Sequence, residues 1–568
     1  MRRGKWQLLI AFMFVMALFM AACGNDSEDG GESAEGSTDE SDEGEADNGG
    51  EEGEADSDSD GMADDQSLTV NIKTEPPSLH PGKATDTTSN AVLSQIFEGL
   101  TRIGPDGEPQ KAMASEIDVS DDKKTYTFTI REDAEWSNGD PITAQTFADS
   151  WKWVLNPDSP DTDYAYQLYP IKGAEAAKKG DKSLDDVGIT AVDDETLEVE
   201  LEEPTPYFLE LTAFYTFYPI NQNVAESNED WAADAGEDYV TNGPFLLDEW
   251  KHKNQVVLKK NPDYWDAENV NLETITMEMV NDENTSKQMY DEGELDWLGS
   301  PLDAVPLAAI PQMKQEGNLE ISPKAGTYYY SFNTEKEPFT NKNIRKAFAL
   351  SINRQAIVKN ITKGEQEPGM ALVPTAIWEE NEEGYFDDNN VEKAKEYLDK
   401  GLEEMGLDEL PKIKLSYNTD EAHAAIAKAA QDMWRENLGA EVELNNEEWN
   451  VYLDSMTEGN YQVGRMGWIA DFLDPINFLE IFETVGGNNY TNWEDDEYAS
   501  LLQEARKEKD EGVRKELLRE AEQLFMDEMP LAPVYFYTNV YAHKDFVKDV
   551  TVGNLGTIQF KWGYIAEH

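Results

Sequence analysis

Between Gly24 and Gln66 the chain carries 19 acidic residues and no lysine or arginine, so any compact fold must be built from residues beyond Gln66. A segment made almost throughout of Gly, Ser, Asp and Glu buries too little apolar surface to offset the entropy of ordering, and its like charges repel. The composition predicts a disordered, extended tether. About 500 residues remain beyond it, enough for two or three domains. The tether holds only 19 of the 117 acidic residues behind a net charge of −71, so the remainder is itself strongly acidic. Such a surface repels nucleic-acid phosphates, which excludes nucleic acid as a partner. It repels anionic lipid headgroups too, so residence at a membrane requires a covalent anchor.

The first residues predict how that anchor arises. Arg2, Arg3 and Lys5 precede an apolar run from Leu8 to Met20, and then come Ala21, Ala22 and Cys23. A positive start, a short apolar run and small residues before a break are the layout of an export signal. Met20-Ala21-Ala22-Cys23 resembles the bacterial lipobox, in which cleavage precedes a cysteine that then carries lipid. Leucine is the usual first residue of that motif, and Met20 departs from it. The resemblance implies a signal peptide over 1–22, lipidation of Cys23 and a tether over 23–66. It places the protein on the outer face of the cell membrane, which is extracellular in a Gram-positive type of cell. Cys23 is the only cysteine, so no internal disulfide and no thiolate metal cluster is expected.

Short β-type runs alternate with amphipathic helices in the remaining chain, without a fixed repeat. Leu68–Ile72, Thr125–Ile130, Thr196–Leu201 and Thr327–Phe332 alternate or are rich in β-branched and aromatic residues, and are predicted strands. Asn341–Ile361 shows a helical apolar face. Ala422–Leu438 is an Ala-rich helix stopped by Gly439, and Tyr498–Met529 reads as one long or two shorter helices ended by Pro530. The fold class is α/β, with helices packed on mixed sheets.

Motifs for catalysis are missing. The five histidines are scattered, and there is no nucleophile elbow, no phosphate-cradling loop and no dinucleotide fingerprint. No catalytic residue, metal or cofactor is therefore assigned, and an enzyme is not expected. One segment stands out instead: Gly467-Trp468-Ile469-Ala470-Asp471-Phe472-Leu473-Asp474-Pro475. A strand leaving into a loop here can place an aromatic face and a carboxylate at a cleft. The same residues also suit a core role for Trp468 and Phe472, with Asp471 capping a helix that begins near Pro475. The residues alone leave both readings open.

Across Leu68–His568 the chain resembles the peptide/nickel class of ABC-transporter solute-binding proteins (extracellular solute-binding protein family 5), especially oligopeptide-binding lipoproteins. The resemblance rests on an ordered series of segments. Glu75-Pro76-Pro77-Ser78-Leu79-His80-Pro81 and Ile96-Phe97-Glu98-Gly99-Leu100 come first. Trp136-Ser137-Asn138-Gly139-Asp140-Pro141-Ile142-Thr143-Ala144 comes next, then Asn242-Gly243-Pro244-Phe245 and Asn261-Pro262-Asp263-Tyr264-Trp265. Ile344-Arg345-Lys346-Ala347, the Gly467–Pro475 stretch, Asn488-Asn489-Tyr490 and Pro533-Val534-Tyr535-Phe536-Tyr537 complete it.

This resemblance implies a bilobed, periplasmic-binding-protein-like fold of class II, of the large peptide-binding type, with an extra subdomain in the first lobe. Lobe I is expected from 67–90, 215–325 and 538–568, the inserted subdomain from 91–214 and lobe II from 326–537. Hinge crossings are expected near Thr327 and Tyr537. The implied ligand is an oligopeptide, bound extended like an added strand and passed to ABC permease subunits by a monomeric receptor. Its α-amine would meet Asp471 and its carboxylate Arg465. Gly467, Trp468, Ile469, Trp449, Glu75, Tyr164, Asn488, Asn489, Tyr490 and Tyr537 match other pocket positions. Met456 stands where some relatives carry another arginine near the pocket. Another cargo on the same fold (a dipeptide, a nickel complex or an oligosaccharide) and a peptide-sensing role remain as alternatives.

Overall fold

The computed structural model describes residues 61–568; the signal segment, Cys23 and most of the expected tether lie outside the described residues. Three sheets carry the architecture. The first orders Ser67–Asn71, Thr274–Glu278, Gln255–Lys260 and Phe245–Lys251, its first pair parallel and the others antiparallel. The second is an antiparallel sheet of Ala114–Val119, Thr125–Ile130, Thr196–Glu200 and Ile189–Ala191. Alternation explains its central strand: Tyr126, Phe128 and Ile130 are buried while the intervening threonines are half-exposed.

The third sheet has seven strands and runs Trp297–Gly299, Leu531–His543, Glu320–Phe332, Val463–Ile469, Ile413–Asn418, Val442–Glu447, with Glu367–Pro368 pairing Leu531–His543. Its two 13-residue strands, Glu320–Phe332 and Leu531–His543, are antiparallel neighbours, and their ladder is interrupted between Pro323 and Thr327. Every residue from Ala325 to Phe332 is buried, because this central stretch is covered on both faces.

Helix boundaries follow local chemistry. Asp420 accepts from the His423 backbone N–H to start Glu421–Leu438, and Gly439 ends it at φ +70°. The expected 498–529 helix is two, Asp496–Lys507 and Glu511–Glu528, because Asp510 caps a fresh start through Gly512 and Val513. The expected 341–361 helix also breaks. Lys342–Leu350 is regular, then Asn353 caps a short helix Arg354–Ile357, which is followed by a π-helical turn. The fully buried Arg354 guanidinium draws the chain inward there, donating to the carbonyls of Ala349, Gly369 and Pro533.

Residues 61–66, predicted as the end of the tether, belong to the folded body. The Ala63 N–H donates to the Ile565 carbonyl at 2.8 Å, and the Gln66 side chain bonds Ile565 in both directions. Among the described residues no helix is long and apolar enough to cross a membrane.

Candidate functional site

The strand Val463–Ile469 organises the site. On one side it pairs with Glu320–Phe332 along its whole length, from Phe332↔Val463 to Gly326↔Ile469. On the other side the neighbouring strand pairs only with Val463 and Gly464. From Arg465 onward the strand therefore presents an open edge, and that edge borders a cavity. Its lining includes Asp86, Asn90, Tyr164, Glu210, Tyr215 and Gln559 together with Trp449, Arg465, Trp468, Asp471, Asn488 and Tyr537.

Asp471 sits just past the strand, 9% exposed. Its Oδ2 accepts from Gln167 Nε2 at 2.8 Å across the cleft and from Asn477 Nδ2 at 3.5 Å. Asn477 Oδ1 in turn accepts from the Asp471 backbone N–H at 3.0 Å and from Trp468 Nε1 at 2.9 Å, fixing both residues. No cation pairs with Asp471 among the described residues. Burial, aided by the nearby Glu480 carboxylate and opposed by the Asn477 and Gln167 hydrogen bonds, pushes its carboxyl up to about 8. It caps no helix: the Ile476 N–H donates instead to Asp474 at 2.9 Å. Phe472 is core, stacked on Tyr207 with centroids 3.9 Å apart, whereas Trp468 is both buried and at the cavity wall, facing Tyr164 at 6.3 Å.

Arg465 is the cavity's one basic side chain. It is 9% exposed, donates from Nη2 to the Tyr537 hydroxyl at 2.7 Å and from Nη1 to Asn418 Oδ1 at 3.3 Å, and lies 4.7 Å over the Tyr328 ring. It has no carboxylate partner among the described residues, and its Nε has no acceptor in the protein. Trp449 Nε1 and Asn488 Nδ2 are further buried donors without a protein acceptor, both on cavity-lining residues. Gly467 is required by contact: a Cβ there would overlap the Tyr537 hydroxyl.

The structure thus brings Tyr164, Trp449, Arg465, Gly467, Trp468, Ile469, Asp471, Asn488, Tyr490 and Tyr537 to one cavity. Glu75 and Asn489 are not at its wall. Glu75 accepts from Trp250 Nε1 at 2.8 Å, contacts His252 Nδ1 at 2.8 Å and accepts from the Lys253 N–H, so its carboxylate is held elsewhere. Asn489 shapes its loop, donating to the Thr484 and Trp493 carbonyls. Met456 is buried against Gly464, outside the cavity. Several lining residues carried no sequence signal. Asp86 and Asn90 belong to an ordinary capped helix, Glu210 is one acid among 117, and Leu555, Thr557 and Gln559 come from the far C-terminal loop.

A second set of contacts spans the same cleft. Lys73, just after the first strand, bonds Glu283 at 2.7 Å and Asp420 at 2.5 Å, and the Glu421 N–H donates to Glu283 at 3.2 Å. Asp420 caps a helix packed on the seven-stranded sheet, so Lys73 ties the first sheet to the seven-stranded one. Among the described residues no group of three or more His, Cys, Asp or Glu side chains is arranged to hold a metal.

A cavity beside an open strand edge, carrying a buried carboxylate and a buried guanidinium without counter-ions, suits the capture of a solute. Comparison with known proteins agrees. Residues 108–490 match the model for bacterial extracellular solute-binding proteins, family 5. The chain is 51% identical to the oligopeptide-binding protein OppA of Bacillus subtilis, over 99% of each chain. It superposes on peptide-bound OppA of Listeria monocytogenes with a TM-score of 0.82 at 30% identity, covering 89% of this chain and 99% of that one. The chain belongs to the family 5 bacterial extracellular solute-binding proteins. The Escherichia coli murein tripeptide-binding protein MppA separates the conformations: the TM-score is 0.83 against one of its structures and 0.61 against its unliganded open form, each at 30% identity and 89% coverage of this chain. With Lys73 and Gln167 bonded across the cleft, the present structure is closed.

Proposed function

We propose that this protein captures oligopeptides between its lobes and delivers them to the permease of an ABC importer, held at the outer membrane face by lipid on Cys23. The observation that carries the reading is the open edge of Val463–Ile469, flanked by an unpaired buried carboxylate at Asp471 and an unpaired buried guanidinium at Arg465. A peptide is the solute that answers all three. Its amides pair with the strand edge, its ammonium meets Asp471, and its carboxylate meets Arg465. Backbone pairing is blind to side chains, which allows many peptide sequences. In this reading the lobes divide at the interrupted ladder near Thr327 and Tyr537, and the segments assigned from the sequence form lobe I, its subdomain and lobe II.

Mass spectrometry of solute released by denaturing the natively purified protein tests the function. Peptides are expected; sugars or metal chelates without peptides would overturn it. Replacing Arg465 with Gln is expected to weaken free-acid peptides about 10- to 100-fold in calorimetric titration. It should change affinity for the same peptides as C-terminal amides little. Gly467→Ala displaces Tyr537, and with it the Arg465 guanidinium. About a tenfold loss of affinity is expected, measured by the same titration.

A further inference from the structure

The charges lining the cavity do not balance once a zwitterionic peptide is bound. The lining holds three acids, Asp86, Glu210 and Asp471, and one base, Arg465. The peptide's termini neutralise Asp471 and Arg465. Asp86 is occupied as the cap of helix Thr87–Ile96, accepting from the Thr88 N–H at 2.9 Å, the Ser89 N–H at 3.1 Å and the Ser89 hydroxyl at 2.6 Å. Glu210 is left. Its Oε2 accepts a single bond, from the Leu473 N–H at 3.1 Å, and no lysine or arginine pairs with it among the described residues. Burial, with smaller contributions from Glu108 and Asp474, pushes its carboxyl above the ordinary value, and Asp474 is itself paired with Arg514 at 2.8 Å.

From this balance the geometry points to Glu210 as a specificity-determining residue that favours peptides carrying a lysine or arginine side chain near their amino end. The inference rests on the peptide reading of the site. The position is set by Leu473, which bonds Glu210 and lies two residues beyond Asp471, where the α-amine is held. The shape of the wall suits such a side chain: Ile103, Ala213 and Phe214 line the cavity too, offering apolar surface for the methylene stem while the charged head meets the carboxylate. Glu210 reaches Leu473 across the cleft, so this preference is complete only when the lobes close. The protein's excess negative charge adds long-range attraction for the same cationic peptides.

Calorimetry on the ligand-stripped full chain tests this, with four peptides of equal length: Lys-Ala-Ala-Ala, norleucine-Ala-Ala-Ala, Glu-Ala-Ala-Ala and Ala-Ala-Ala-Lys. Amino-terminal lysine is expected to bind about tenfold or more tighter than norleucine, and glutamate more weakly than either. Carboxyl-terminal lysine should gain much less. In Glu210→Gln, which retains an acceptor for the Leu473 N–H, the lysine-to-norleucine ratio should fall to within about twofold. Equal affinities for lysine and norleucine in the wild type, or an unchanged ratio in the variant, would overturn the inference while leaving the peptide reading intact. Failure of all four peptides to bind would overturn that reading, and this inference with it. Melting temperatures of the two proteins, compared without ligand, separate a folding defect from a change in selectivity.

Discussion

Asp471→Asn lowers affinity for a peptide with a free α-amine by about 100- to 1,000-fold, because one partner of a buried charge pair is lost. The wild-type protein should bind the N-acetylated form of the same peptide about as weakly as the variant does. A variant that bound free and acetylated peptides as the wild type does would remove Asp471 from the amine site. The ligand-free variant should also be more stable at alkaline pH. Burial in the closed structure pushes the Asp471 carboxyl from an ordinary value of 3.8 up to about 8. Its raised value favours the fold fully below the ordinary value and loses that contribution as pH rises through 8. Asparagine has no proton to lose, so the melting temperatures of the two proteins should diverge between about pH 4 and pH 8, with the variant the higher.

The same titration couples capture to protons. In the closed structure burial pushes the Asp471 carboxyl up to about 8, so closure below that pH favours a proton there unless a charged amine takes its place. Forming the ion pair therefore releases one proton. Affinity should rise about tenfold per pH unit toward 8 and then level as the α-amine, with an ordinary value near 8, begins to deprotonate. Calorimetry in buffers of different ionisation enthalpy counts that proton directly. A pH-independent affinity between 6 and 8 would show that Asp471 is already ionised when the peptide arrives.

The second large effect is at Lys73. Its removal as Lys73→Met leaves Glu283 and Asp420 facing each other inside the closed molecule with no cation between them. In an open molecule the two carboxylates separate and hydrate. The substitution thus disfavours closure specifically, and peptide affinity should fall about 100-fold as the closed fraction shrinks. Adding Asp420→Asn removes the repulsion while keeping a competent helix cap, and should recover much of the loss. Titrating both single variants and the double variant measures the coupling. Equal affinity in Lys73→Met and the wild type would show that these contacts do not contribute to closure.

Much of this architecture could be read from local patterns. The alternation in Thr125–Ile130, the Asp420 cap and the Gly439 stop each act within a few residues, so the sequence carries them openly. The dipolar pair Asp471 and Arg465 was legible only through family resemblance; composition alone allowed Asp471 to be a cap. What stayed hidden depends on long-range pairing. The docking of residues 61–66 relies on Ile565, the cavity wall draws on Leu555–Gln559, and the Asp471 carboxylate is oriented by Gln167, 304 residues away. Glu75 shows the converse: a segment typical of the family placed it in the pocket, whereas Trp250 and the Lys253 amide hold its carboxylate elsewhere.

The interrupted ladder between the two long strands has a kinetic consequence. Pairing stops between Pro323↔Thr538 and Thr327↔Phe536, and Tyr537 lies within that gap. Tyr537 accepts one hydrogen bond from Arg465 and Asn418 another, so both partners of the guanidinium stand on strands of the same seven-stranded sheet. Gln167 and Glu210, at the amine end, arrive from the far side of the cleft and are in place only after closure. A peptide can thus dock first by its carboxyl terminus on a nearly preformed seat, and its amine then meets groups that arrive with the moving lobe. Under the proposed reading, capture has an early anchoring step and a late proofreading step, and the late step is the one that inspects charge.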